Sequence, residues 1–175
     1  MNHRKSFLAE QTYATLFSLT NKLQVRGDQY LGQLTSRQLM AMIAVAHLPD
    51  DQRTLNNIAR KLGTTKQSVK QLIAVIEKKG YVVTAPSRRD KRAVNVTLTE
   101  AGVQVALECG EKGIRFFDEL FKEFTTGEME VLWNMLKRLY RFDGEEQDGF
   151  EAQIPITEGI SGGPQRSRPR QRVKP

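Results

Sequence analysis

Apolar residues recur every three or four positions along most of this chain, which is the spacing of amphipathic α-helices. The first such stretch runs from Phe7 to roughly Leu31. A second follows Leu34 and starts with Thr35 and Gln38 at the spacing of a capping box. In that motif the hydroxyl accepts from a free backbone N–H, and the amide reaches back to the cap. The pattern therefore predicts a long N-terminal helix and then a second helix.

Two shorter helices with the same apolar spacing come next, with a single glycine between them. Gly63 occupies the position after the first of them, where a left-handed backbone is common, and Gly80 ends the second. Thr64 and Gln67 repeat the capping-box spacing, so we expect the second helix to start there. Ala59 is small enough to let the two helices cross closely. A close pair with a glycine turn is typical of a helix-turn-helix.

The hydrophobic period then changes from helical to alternating. Residues 81–84 form one predicted strand, and Val94, Val96 and Leu98 alternate with polar residues in another. A polar, basic loop at residues 86–92 connects the two strands. A helix-turn-helix followed directly by such a hairpin is a winged helix, and the connecting loop is the tip of its wing.

Two more helices are predicted after the hairpin. Small and apolar residues three or four apart form a seam between Val103 and Phe124. Thr125 and Glu128 then give a third capping box, which starts the last helix.

The end of the chain has a different composition. Its acidic part, residues 143–160, contains six acidic residues and no basic one, and residues 161–175 contain five basic residues and no acidic one. Gly, Pro, Ser and Gln fill much of the remainder. We interpret residues 143–175 as a disordered, acidic-then-basic tail.

Positive charge is concentrated in the middle of the chain. The 175 residues carry a net charge of +7, yet residues 53–92 alone hold eleven basic and two acidic residues, a net charge of +9. Positive charge gathered in one stretch is the electrostatic signature of a protein that binds a polyanion. A solvated lysine-rich surface would give the same count, so charge alone leaves both interpretations open.

The second helix of the helix-turn-helix is expected to keep one polar face free. That face starts near the helix N-terminus, which attracts phosphate, and its donors and acceptors suit base edges and phosphates. The residues that we expect to contact DNA there are Thr65, Lys66, Gln67, Ser68, Lys70 and Gln71. Gln67 is also expected to cap its helix, which would occupy its amide.

The wing tip supplies a second candidate contact with DNA. Its basic side chains would lie over the backbone or enter a narrow minor groove, whose negative potential favours arginine. These residues are Arg88, Arg89, Lys91 and Arg92. Phosphate would repel Asp90, but an aspartate two residues before Arg92 can hold that guanidinium in one orientation. The alternative interpretation is a charged loop that contacts nothing.

The order of these elements resembles that of MarR-family transcriptional regulators. The resemblance extends from about Phe7 to Phe142, and its most specific part is DKR at residues 90–92 followed by LTEAG at residues 98–102. It implies a mainly α-helical fold with a small β-hairpin wing. In that fold a winged helix-turn-helix is flanked by N- and C-terminal dimerisation helices.

The resemblance also implies how the chain is divided into regions and which partners it binds. We expect an N-terminal dimerisation helix at residues 1–34, a winged helix-turn-helix DNA-binding region at 35–99, C-terminal dimerisation helices at 100–142, and then the tail. Members of the family are homodimers that commonly repress transcription, and many release DNA when a small phenolic or hydrophobic ligand, or an oxidant, acts on them. Two recognition helices related by a two-fold axis imply a pseudo-palindromic operator in double-stranded DNA. The wing pair maps onto Asp90 and Arg92.

The sequence shows little chemistry of other kinds. His3, His47 and Cys109 are the only soft metal ligands and lack ligand spacing, so we expect neither a metal site nor a cofactor. We find no phosphate loop, dinucleotide fingerprint or catalytic triad, and we predict that the protein is not an enzyme. The family's oxidant sensors carry their cysteine in the first helix, whereas Cys109 follows the wing, which favours a structural role.

Two expectations concern location and the competing function. No apolar run approaches the roughly 18–20 residues that cross a bilayer, and no signal peptide is recognisable, so we expect a cytoplasmic protein without membrane contact.

The alternative function is a winged-helix protein-interaction module that lacks sequence-specific DNA binding. The concentrated basic charge argues against that alternative, because such a module has no need of it.

Overall fold

The computed structural model describes residues 2–87, 90–144 and 150–159, and most of these residues are α-helical. A two-stranded antiparallel hairpin lies between the fourth and fifth helices in chain order. This confirms the predicted fold class. The elements are α1 (His3–Leu31), α2 (Ser36–His47), α3 (Leu55–Lys61), α4 (Lys66–Lys78), β1 (Val82–Pro86), β2 (Val94–Leu98), α5 (Glu100–Phe121) and α6 (Thr126–Tyr140). Short 3-10 segments at Asp50–Gln52 and Ile156–Gly159 complete the regular structure of the described ranges.

Several helix boundaries follow local signals in the sequence. Thr35 with Gln38 at α2, and Thr125 with Glu128 at α6, form the predicted capping boxes, and both reciprocal hydrogen bonds are present in each. α3 ends in a turn where Gly63 has a φ of 61°, a left-handed conformation that glycine adopts without steric cost. These features place the helix-turn-helix as the sequence predicts.

The predicted capping box at the start of α4 is wrong by one residue. The backbone N–H of Thr64 donates to the Ala59 carbonyl at 2.9 Å, so Thr64 belongs to the turn that ends α3. Thr65 is the N-cap of α4, and its hydroxyl accepts from the Ser68 N–H at 3.1 Å. Gln67 therefore does not cap the helix.

The core is centred on α2, which packs against α1, α3, α4, α5 and β2. Its most deeply buried residues are Ala41, Met42, Ala44 and Val45, and none of them has exposed surface. The apolar face of α4 packs on one side of α2, and α5 packs on another. The hairpin closes the core with Val82 and Leu98, which face each other at its base and are both buried.

The prediction of a disordered tail is wrong for residues 150–159. This segment lies on α2 and α5 and ends in a buried glycine. Ile156 packs against the core, and the Phe150 ring contacts a histidine ring of α2. A few apolar side chains are enough to dock the segment, because the helices already form the surface that receives them. The rest of the acidic-then-basic stretch, residues 145–149 and 160–175, lies outside the described residues.

Gly102 allows the first turn of α5 to lie against the base of the wing. A Cβ atom at this position would be 2.0 Å from the backbone carbonyl oxygen of Tyr81. The backbone N–H of Thr99, the N-cap of α5, donates to the same oxygen at 3.1 Å. The start of the helix and the hairpin are therefore in direct contact, and the LTEAG motif requires its glycine for this reason.

We predict that Gly102→Ala destabilises the fold. Overpacking of this kind costs about 1–3 kcal/mol, and we expect a loss of that size in the free energy of unfolding measured by urea denaturation. Gly127→Ala, in the first turn of α6, is the matched control, because no atom lies within 4 Å of its added Cβ. Equal stability of the two variants would contradict the close packing of α5 on the hairpin.

Candidate nucleic-acid interface

α4 has one buried face and one open face. Val69, Ile73 and Ile76 are buried in the core. Of the six residues predicted to contact DNA on this helix, Thr65, Lys66, Gln67, Lys70 and Gln71 are exposed and Ser68 is half-buried. Free backbone N–H groups and the positive end of the helix dipole lie at the same end of α4. The open face therefore suits an anionic ligand.

The two hydroxyl groups on this face bond to each other. Thr65 Oγ1 and Ser68 Oγ are 2.9 Å apart, and the hydroxyl of Thr65 also caps the helix. These short side chains shape the start of α4. Lys66, Gln67 and Lys70 have longer side chains, and all three are exposed.

The wing tip is a tight loop that holds one guanidinium beside one carboxylate. Asp90 Oδ1 accepts from the Arg92 N–H at 2.9 Å and lies 3.6 Å from Arg92 Nε. The Arg92 side chain is 95% exposed, so the aspartate orients a group that is otherwise surrounded by solvent. Lys91 is also exposed. Arg88 and Arg89 lie outside the described residues.

A carboxylate that the sequence pattern did not single out links the wing to α4. Glu77 Oε1 accepts from the Thr84 N–H at 2.8 Å and from the Thr84 hydroxyl at 2.7 Å. Glu77 lies near the end of α4 and Thr84 in β1, so the pair fixes the angle between the helix and the hairpin. In the sequence this residue is only one of two acids in a basic stretch, and its partner seven positions away gives no periodic signal.

Part of the predicted basic stretch is buried. Arg53 is 3% exposed and Lys61 is 6% exposed, so neither contributes to the outer surface of the helix-turn-helix. Burial lowers the pKa of Arg53 from its ordinary value, and the nearby Asp50 opposes that shift. The exposed basic residues of the described part of the stretch are Arg60, Lys66, Lys70, Lys78, Lys79, Lys91 and Arg92. They lie on α3, on α4 and at its end, and on the wing.

Cys109 is a buried thiol in α5. Its Sγ is 3.4 Å from the Leu31 carbonyl oxygen and donates a hydrogen bond to it. Burial raises the pKa of the thiol, with smaller opposing effects that include the cation of Lys112. A thiol with a raised pKa carries little of the thiolate that reacts with oxidants. The surroundings of Cys109 are those of a structural residue.

Among the described residues we find neither a metal-binding cluster nor a helix that could span a membrane. Within residues 2–87, 90–144 and 150–159, no group of three or more His, Cys, Asp or Glu side chains could hold a metal ion. Over the same ranges no helix combines the length and the apolar character that a membrane span requires. Two open clefts of about 500 Å³ each are lined by α1, the second together with α5.

Comparisons of the sequence and of the fold with known proteins both find transcriptional regulators. A model of the MarR family matches residues 33–93, which include the helix-turn-helix and β1 and end just before β2. The transcriptional activatory protein BadR of Rhodopseudomonas palustris is 26% identical over 162 residues, covering 88% of this chain and 90% of BadR. The HTH-type transcriptional regulator SarZ of Staphylococcus haemolyticus is 25% identical over 140 residues, covering 78% of this chain and 91% of SarZ.

Solved structures share the fold at lower sequence identity. The complex of S. aureus MepR with DNA superposes with a TM-score of 0.64 at 23% identity, covering 73% of this chain and 94% of MepR. The organohalide-sensing regulator RdhR, bound to 2,4-dichlorophenol, gives a TM-score of 0.66 at 17% identity, covering 79% of this chain and 83% of RdhR. The family model, the relatives and the fold agree in their similarity to MarR-family winged-helix transcriptional regulators.

Proposed function

We propose that this protein is a sequence-specific, double-stranded DNA-binding regulator that acts as a ligand-responsive homodimeric repressor. The observation that carries the proposal is the open polar face of α4 beside the wing guanidinium of Arg92, with Glu77 fixing the angle between the two elements. The DNA complex of MepR, which has the same fold, supports this use of the surface. In this proposal residues 35–99 form the DNA-binding region, and residues 1–34 and 100–142 form the dimerisation helices.

The recognition helix and the wing would have different tasks. On α4, Lys66, Gln67 and Lys70 extend from the N-terminal half of a helix whose other face is buried, which is the arrangement of helices that enter the major groove. At the wing, Arg92 is oriented by Asp90 and fully available to phosphate or to a narrow minor groove. A protein-interaction module would need neither an oriented arginine nor exposed basic residues along both elements.

We predict that Lys66→Ala, Lys70→Ala and Arg92→Ala each weaken binding to a duplex selected from a random pool with the full chain. If each side chain neutralises a phosphate, the salt dependence of log K should fall by about 0.9 for every such side chain removed. Asp90→Ala should weaken binding less than Arg92→Ala, because it frees the guanidinium without removing it. Fluorescence anisotropy at several salt concentrations measures both quantities.

Lys122→Ala is the control for these variants, since it removes one exposed positive charge at the far end of α5. We expect it to bind as the unsubstituted chain does. Loss of discrimination at one base pair with an unchanged salt slope would assign that lysine to base contact instead. Unchanged affinity in all three variants would exclude this surface as the DNA interface.

The apolar surface of the chain supports a homodimer. α6 has no buried residue, and only two residues of the 29-residue α1 are buried. A single copy therefore leaves large apolar side chains exposed on α1, α5 and α6, among them Phe7, Tyr13, Phe17, Ile114, Phe117, Trp133 and Met135. Exposed apolar surface of this extent marks an interface, and a two-fold dimer would bury the same faces of both copies.

We predict that the full chain sediments as a dimer at micromolar concentration. Phe117→Asp and Trp133→Asp should shift it towards the monomer, because each places a charge in the apolar surface that the partner would bury. Val75→Asp, at an exposed apolar position of α4 outside that surface, is the control and should leave the dimer intact. The two recognition helices should then protect half-sites roughly 10 bp apart in a footprint. A monomer, or one protected half-site, would contradict the dimer.

Control by a small ligand and repression are the remaining parts of the proposal. The bound 2,4-dichlorophenol in RdhR shows that a protein of this fold holds a phenolic compound. BadR is named an activatory protein, so the sign of regulation differs among proteins similar to this chain and has to be measured.

We predict that the protein lowers transcription in vitro from a promoter that overlaps its selected binding site. Occupancy of such a site excludes polymerase, and a ligand that favours the unbound form should restore the transcript. The probe is 2,4-dichlorophenol, with cyclohexanol as the non-aromatic control. Increased transcription would make the protein an activator, and a transcript that 2,4-dichlorophenol does not restore would remove phenolic control from the proposal.

A further inference from the structure

The chain returns from α6 to the winged helix through residues 150–159, called here the C-terminal segment. Its first residue, Phe150, lies against the His47 ring of α2, with a centroid distance of 5.3 Å. The Nζ atom of Lys61 in α3 is 5.1 Å from the centre of the same phenyl ring. Glu151 forms an ion pair with Arg141 at 3.2 Å. The segment therefore connects the end of α6 to the first two helices of the winged-helix region.

The other end of the segment is bound by one buried guanidinium. Arg53 Nη1 donates to the Gly159 carbonyl at 3.2 Å, and Nη2 donates to the Glu158 carbonyl. The Nε atom of the same side chain donates to the Val45 and Leu48 carbonyls at the end of α2, at 3.0 and 3.1 Å. One cation thus joins the C-terminal segment to the central helix of the core.

The backbone around this arginine forms the support of the wing. The Val96 N–H of β2 donates to the Arg53 carbonyl at 2.9 Å. The next residue, Thr54, pairs with Asn95 as a single antiparallel bridge beside the hairpin. Asn95 also donates through its side chain to the Asp50 carbonyl at 3.0 Å. Arg53 therefore contacts the C-terminal segment with its side chain and the wing with its backbone.

We propose that the C-terminal segment and Arg53 form a positioning element that holds the wing in its DNA-binding orientation. If the segment leaves, Nη1 and Nη2 each lose a backbone acceptor while Asp50 stays paired with Nη1 at 2.6 Å, and buried donors without acceptors are unfavourable. Arg53 then turns towards solvent and carries with it the backbone that supports β2. This inference rests on the proposed function, because the wing must contact DNA for its position to matter.

Gly159 offers a way to displace the segment with a substitution outside the wing, although its neighbour Leu98 is the last residue of β2. A Cβ atom at this position would be 2.2 Å from Cδ1 and 2.6 Å from Cγ of Leu98. Leu98 is 2% exposed in the core, so we expect the added methyl group to displace the segment rather than the strand. Gly159→Ala should therefore detach the end that Arg53 holds. Gln153→Ala, at an exposed position of the same segment, is the matched control.

The first experiment measures amide hydrogen exchange by NMR on the full chain without DNA. In Gly159→Ala we expect the Val96 amide to exchange about tenfold faster, because local opening of the wing support becomes easier. The amide of Met42, buried in α2, should be unchanged, as should both amides in Gln153→Ala. Unchanged exchange at Val96, or an equal increase at Met42, would overturn the proposal, since the segment would then be idle or only generally stabilising.

The second experiment is a double-mutant cycle on affinity for the selected duplex. Gly159→Ala should lower the affinity about threefold to tenfold, and much less in an Arg92→Ala background, because its effect passes through the wing. The same loss in both backgrounds would overturn the proposal. Failure of the unsubstituted chain to bind any duplex would overturn the proposed function instead, while exchange at Val96 would still decide whether the segment supports the wing.

Discussion

The burial of one face of α4 is the interaction on which the functional geometry depends. Val69, Ile73 and Ile76 are almost completely removed from solvent, and burying a side chain of this size contributes about 1.5–3 kcal/mol. A helix held so firmly by one side presents its opposite side in one orientation only. The polar face, the helix N-terminus and, through Glu77, the wing angle all follow from this packing.

A second constraint is the apolar surface that one copy leaves open. The winged helix has its own core around α2, whereas α6 packs so little that none of its residues is buried. An isolated helix of 15 residues is only marginally stable in water, which supports the proposed packing of α6 against a second copy. The same division separates the region proposed to contact DNA from the region proposed to contact a second copy.

The sequence predicted those features whose signals are local. The apolar period gave the helices, the alternating residues gave the hairpin, and the boxes at Thr35 and Thr125 gave two helix starts within one residue. The start of α4 was missed because the Thr64 amide is used by the glycine turn that ends α3. Composition also failed for the C-terminal segment, since a polar stretch reveals neither Phe150 nor Ile156 as an anchor until the receiving surface exists.

The role of Arg53 was hidden for a related reason, because its acceptors come from positions far apart in the chain. A buried charge costs several kcal/mol in desolvation unless hydrogen bonds replace its water, and here backbone carbonyls and Asp50 do so. Carbonyls at the end of α2 lie at the negative end of a helix dipole, which favours a cation. The α2 carbonyls accept hydrogen bonds only from Nε of Arg53. Nη2 of the same side chain donates to the Glu158 carbonyl of the C-terminal segment. The C-terminal segment completes the solvation of this cation, and so the charge acts together with the apolar anchors in determining where the segment binds.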